Sequence, residues 1–163
     1  MATDNNPTES LHMINVCLIG ADLEHEKALL INQPNIAVTM LDDAEPEPLL
    51  LRLSEITPDI AIVSDEASPI SADELCLLIS LRSPQTKTLI ISNDSPDFER
   101  LQASGFTCRG YITSQQRSAI VRAVRVVFDG EAWLPRKLVT ELLDRLAVRA
   151  MTEQQQLKSV KKC

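Results

Sequence analysis

Aromatic side chains are scarce in this 163-residue chain: Phe, Trp and Tyr together make up 3% of it. The core therefore has to be aliphatic, assembled from Leu, Ile, Val and Ala. Closely spaced cysteines are missing too. Cys17, Cys76, Cys108 and Cys163 form no C-x-x-C, which argues against a metal site and a dithiol redox motif. Cys17 lies in an apolar run and Cys76 on a leucine-rich stretch, so both read as small core hydrophobes. A reducing, cytoplasmic setting fits that usage. No apolar run approaches the 18 or more residues of a membrane span, and no basic-then-apolar signal opens the chain. An excess of positive charge is absent as well. Sixteen Lys and Arg against 23 Asp and Glu give a formal charge of −7, which argues against direct nucleic-acid binding by this segment.

What is present is the composition of one globular domain, 44% hydrophobic and 24% charged. A chain of this length buries roughly 70% of the surface that it exposes unfolded. Met1 to His12 is polar and is expected to be disordered. Ile14 to Ile19 is an apolar run ending at Gly20, the form of a strand buried on both faces. Asp22 is placed to cap the following helix, which runs to about Asn32 before Pro34. Ile36 to Leu41 predicts a second strand, Asp42 to Pro48 a loop, and Leu49 to Ile56 a short helix. Pro58-Asp59 introduces strand three, Ile60 to Val63. Ser71 with Glu74 makes a capping box before Leu75 to Ile79. Thr88 to Ser92 predicts strand four, Ser95 to Ser104 a helix ended by Gly105, and Gly110 to Thr113 strand five.

Ile120, Ala123, Val124, Val127 and Phe128 form one helical stripe. Leu138, Val139, Leu142, Leu143 and Leu146 form another, in a helix from Pro135 to about Ala150 whose following tail should fray unless a further domain or a partner holds it. Strands alternating with helices imply a parallel sheet covered on both sides, with any site beyond the carboxyl ends of the strands.

Pro58-Asp59, Ser92, Gly105 and Gly110-Tyr111-Ile112-Thr113, in that order and spacing, resemble a bacterial response-regulator receiver. Asp129-Gly130-Glu131-Ala132-Trp133-Leu134 before an amphipathic helix looks more narrowly like the NarL/LuxR type. The resemblance implies an α/β, flavodoxin-like three-layer fold with a five-stranded parallel sheet of order 2-1-3-4-5 and a C-terminal linker helix. Its domains would be a receiver over residues 13–130 and a linker helix and tail over 131–163. It implies phosphoryl transfer to an aspartate after strand three. Two acids after strand one help that aspartate hold Mg²⁺, and a Ser or Thr on strand four and a Lys on strand five bind the phosphoryl oxygens.

Carried onto this sequence, the two acid positions fall on Gly20 and Ala21, the acceptor on Ser64 and the lysine on Ser114. Only Ser92 remains of the phosphate-binding set. Tyr111 remains as the aromatic that, in the family, turns inward when the phosphate site is filled, so Ser92 and Tyr111 are the expected switch. Pro69 lies four residues after Asp65, the family's usual distance from the acceptor, so Asp65 competes with Ser64 for that position. Asp22 and Glu24 are candidates for displaced carboxylates.

The expectation is a degenerate receiver, not an enzyme and without metal or cofactor, that acts through protein contacts in signalling or transcription control. The alternative is a regulator still phosphorylated on Asp65 in a two-component relay. Self-association is expected on the face of helix four, strand five and helix five, where Val121 and Val126 flank the buried stripe, with Leu138 and Leu142 docked on the domain or on a twin. A DNA-binding domain or another regulator is the further partner implied. His25, among Glu24, Glu26 and Lys27, reads as a surface histidine, and Trp133 as a packing residue.

Overall fold

The computed structural model describes residues 12–162. The expected disorder of Met1 to His12 falls almost entirely outside them. Five strands, β1 (Ile14–Ile19), β2 (Ile36–Leu41), β3 (Ile60–Ser64), β4 (Lys87–Ser92) and β5 (Cys108–Thr113), alternate with α1 (Glu24–Ile31), α2 (Pro46–Ile56), α3 (Ala72–Arg82) and α4 (Phe98–Ala103). A 3₁₀ helix (Ser114–Ala119), α5 (Ile120–Phe128) and the long α6 (Arg136–Lys162) follow. The sheet is parallel throughout, in the order β2-β1-β3-β4-β5, as expected.

Two aliphatic clusters flank the sheet. One joins Cys17, Ile19, Ala61 and Val63 to α2, α3 and α4 through Leu49, Leu53, Leu75, Cys76, Ile79, Phe98 and Leu101. The other joins Val16, Leu18, Ile60 and Ile62 to α1 and α5 through Leu23, Leu30, Ile120, Val124 and Val127. Central β3 is buried along its whole length, which is why it reads as an unbroken apolar run and not as an alternation.

Several boundaries differ from the sequence reading, β5 for one beginning at Cys108 and not at Gly110, and four differences bear on the packing. Leu23 precedes α1 at the cap position, and no side chain caps it; the Asp22 carboxylate is engaged elsewhere. Helix α2 begins at Pro46, inside the expected loop, because proline is preorganised for the first helical turn. Helix α4 starts only at Phe98, capped by the Asp97 side chain. Helix α6 runs unbroken to Lys162 instead of fraying after Ala150. The Ser71 cap on Glu74 is present at 3.1 Å, and the turn at Gly105 is left-handed as expected.

The segment before α6 closes the outer side of β5. Trp133 donates from its backbone to Arg109 and accepts from Tyr111, at 2.8 and 3.1 Å, forming a parallel bridge beside Gly110. A Cβ on Gly110 would lie 3.0 Å from the Trp133 Cβ and 2.4 Å from Leu89, so only glycine admits this approach. Leu138 and Leu142 then pack α6 onto the cluster containing Phe98 and Leu101. Arg145 adds a cation–π contact, 4.2 Å from the centre of the Phe98 ring.

Candidate functional site

The carboxyl ends of β1, β3, β4 and β5 bring together Gly20, Ser64, Asp65, Ser92 and Tyr111. Gly20 is buried with φ +134°, a conformation that side chains rarely adopt. A Cβ there would stand 2.7 Å from the Ser64 Cβ and 3.1 Å from Asp22 Oδ1. The place of the first acid is therefore closed, not merely unfilled. Ser64 is itself buried, and its hydroxyl donates to Asp22 Oδ2 at 2.9 Å while accepting from the Glu66 backbone at 3.2 Å. Ala21 is exposed.

One guanidinium organises the other half of the site. Arg100, on α4, donates through Nη2 to Asp65 Oδ1 at 2.7 Å, through Nε to Asp73 Oδ2 at 2.8 Å and through Nη1 to Ser92 Oγ at 2.9 Å. It also lies 5.3 Å from the Tyr111 ring centre. Asp73 accepts on its second oxygen from the Tyr111 hydroxyl at 2.8 Å. Tyr111 is consequently held inward, 1% exposed. Burial alone would weaken the Arg100 charge, but the bonds from Asp65 and Asp73 more than offset it and hold the guanidinium firmly protonated. Burial, followed by the neighbouring Cys108 and Asp73, lifts the Tyr111 hydroxyl well above its ordinary range. A neutral hydroxyl that donates to a carboxylate is the stable form.

A second arginine braces the rim. Arg117 of the 3₁₀ helix makes a bidentate pair with Glu26 on α1, its Nη2 reaching Oε1 at 2.7 Å and its Nε reaching Oε2. The same Nη2 contacts the Asp22 carbonyl at 3.1 Å. Hydrogen bonding to Glu26 raises the Arg117 pKa. Glu26 is fully buried, contrary to its place beside surface residues in the sequence reading. His25 and Glu24 are exposed, as expected. Ser114 is exposed and takes no part in these bonds.

Three of the four expected interface residues, Leu138, Leu142 and Val121, pack within the chain. Leu138 is buried and Leu142 half-buried against the domain, while Val121 and Val126 are half-buried and Val121 packs into the α1/α5 cluster. None of the four is exposed. Arg100, Asp73 and Arg117 were missed because no motif marks them. Each reaches from a helix to a partner on another element, Arg100 to Asp65 across 35 residues, Asp73 to Tyr111 across 38 and Arg117 to Glu26 across 91.

Mg²⁺ does not fit these residues. The first acid position is sterically shut, the Asp22 carboxylate is hydrogen-bonded by Ser64, and Asp65 is paired with Arg100. Among the described residues, no three His, Cys, Asp or Glu side chains converge as a cation cage.

No known family pattern and no curated protein matches the sequence. Solved structures do match. A LuxR-family two-component response regulator from an Aurantimonas species superposes with a TM-score of 0.67 at 17% identity, over 83% of this chain and 99% of that one. The fold is that of a receiver domain. The isolated receiver domain of RcsB from Salmonella enterica gives a TM-score of 0.63 at 12% identity, over 79% and 98%. The receiver domain of an HD domain-containing protein from Pseudomonas fluorescens gives 0.60 at 16%, over 79% and 92%. At such identities the receiver likeness is one of fold, and the chemistry has to be argued from this chain's own residues. No helix among those described is long and apolar enough to cross a membrane.

Proposed function

We propose that this receiver fold is a phosphorylation-independent module of a signal-transduction or transcription regulator, working through protein contacts. The observation that carries this reading is the Gly20–Ser64–Asp22 arrangement. Ser64, one of the two candidates for the acceptor position, is a buried hydroxyl already bonded to a carboxylate, and the adjoining backbone leaves no room for a metal-binding acid. Arg100 supports it from the other side. A fixed guanidinium takes the Ser92 hydroxyl and Asp65, and with Asp73 keeps Tyr111 inward without a phosphoryl group. The chain's state would then be set by what binds it, through differential affinity for its conformations.

Incubation with acetyl phosphate and Mg²⁺, followed by intact-mass measurement, tests the reading. An unchanged mass is expected. Addition of one phosphoryl group that disappears in Asp65→Asn would overturn it and establish Asp65 as an acceptor.

A further inference from the structure

Beyond Arg145, which stacks on Phe98, helix α6 leaves the domain. Every residue from Leu143 to Val160 is exposed, in a helix about 40 Å long at 1.5 Å per residue. A helix so exposed leaves its apolar side chains in water unless a partner covers them. The residues on one side of it are not randomly placed. Val139, Leu143, Leu146, Ala150, Glu153, Leu157 and Val160 follow one another at alternating spacings of four and three. That is the seam of a heptad repeat, whose 3.5-residue period is matched by another helix and not by a flat surface. Six of the seven are apolar, and Leu143, Leu157 and Val160 are 61%, 61% and 72% exposed. The seam lies about a quarter turn round the helix from Leu138, Leu142 and Arg145, which face the domain, so docking on the domain does not consume it.

We infer that α6 pairs through this seam with α6 of a second copy, parallel and in register. Two features favour a second copy over an unrelated partner. Glu153, Gln156, Leu157 and Val160 enclose a surface hollow, and these are the four positions that receive a knob from the first seam position of a parallel, in-register helix. The side chain arriving there would be Leu157 of the second copy. The pairs flanking the seam in that register are Leu142 with Ala147 and Arg149 with Gln154, and none of them sets like charges together. The one polar layer does oppose like charges, since Glu153 faces Glu153 of the second copy; each carboxylate keeps a cation on its own helix, with Arg149 Nε 3.8 Å from Glu153 Oε2. A polar residue at a single seam position fixes register at some cost in stability. The inference rests on the reading of the chain as an interaction module, but not on the loss of phosphorylation.

Sedimentation of the full chain across the micromolar range tests it. A species of at least twice the monomer mass is expected, and Leu157→Glu or Leu143→Glu should return it to monomer. Glu153→Leu should tighten association by roughly tenfold or more, because it replaces the polar layer by an apolar one. Val148→Glu and Met151→Glu, at exposed apolar positions off the seam, should leave association unchanged. A monomer at high micromolar concentration would overturn the inference. So would association indifferent to Leu157→Glu, association lost equally in Val148→Glu, or no tightening in Glu153→Leu. None of these outcomes depends on acetyl phosphate, so this inference and the proposed function fail separately.

Discussion

Arg100 Nη1 and the Ser92 hydroxyl lie 2.9 Å apart, and the same guanidinium grips Asp65 and Asp73. The strand-four hydroxyl that the receiver resemblance assigns to a phosphoryl oxygen is thus satisfied by a cation of the chain's own. A group supplied by a helix stands where a transient modification would otherwise act.

Removing that guanidinium should release the tyrosine. Arg100→Ala is expected to cost about 2–4 kcal/mol, because it leaves the largely buried Asp73 facing only the Tyr111 hydroxyl. Arg100→Lys should recover only part, since one ammonium cannot reproduce a planar three-way fork. Urea denaturation measures the cost. Ultraviolet difference spectra of the single tyrosine report its exposure. A variant with wild-type stability and a still-buried tyrosine would show that the network is incidental.

The Glu26–Arg117 pair should be asymmetric. Glu26 is fully buried whereas the Arg117 side chain is 30% exposed. Arg117→Ala strands a carboxylate in the interior and should cost about 3–5 kcal/mol. Glu26→Ala leaves a guanidinium able to reach water and should cost less. Equal losses, or the reverse order in denaturant midpoints, would contradict this account.

An acid placed at the first strand's end should fail to create a metal site. Gly20→Asp forces a side chain into a φ of +134° and against Ser64. A loss of roughly 1–3 kcal/mol is expected from the backbone alone, with no Mg²⁺ binding by calorimetry. A stable variant with a single tight Mg²⁺ site would refute it.

Alkaline stability should fall in a defined window. Burial pushes the Cys17 thiol up to about 11, against a smaller opposing pull from Arg52, and burial also raises Tyr111. Both are acids that keep their protons longer in the folded chain than in the unfolded one. The Cys17 contribution is complete below about pH 9 and is lost as pH rises through about 11, while that of Tyr111 begins to fall only above about pH 10. Stability of the wild type should therefore decline more steeply over that range than that of Cys17→Ala. Parallel curves would remove Cys17 as a cause.

The sheet was legible because strands such as Ile60–Ser64 are buried on both faces and so carry an apolar run that no surface element can imitate. The site was legible only by subtraction. Gly20, Ser64 and Ser92 lie at strand ends, where position along the chain fixes position in space. Arg100, Asp73 and Glu26 gave no signal, because a charged helix residue reads as solvated until a partner from another element is known. Asp22 misled for a related reason. An acid before a helix suits a cap, but a serine hydroxyl 42 residues away competed for it and won. Fading hydrophobicity after Ala150 does not mark the end of α6, which continues to Lys162. The segment Met151–Lys162 is rich in Glu, Gln, Leu and Lys, which favour helix irrespective of packing.

The Trp133 bridge beside Gly110 bears on how this protein stays apart from its neighbours in a crowded solution. The last strand of an open sheet is a template on which any extended segment can add, and uncovered edges of this kind seed aggregation. Here the chain lays two of its own hydrogen bonds, from Trp133 to Arg109 and from Tyr111 to Trp133, across that template. Any strand arriving at this edge must first peel away the very segment that leads into α6.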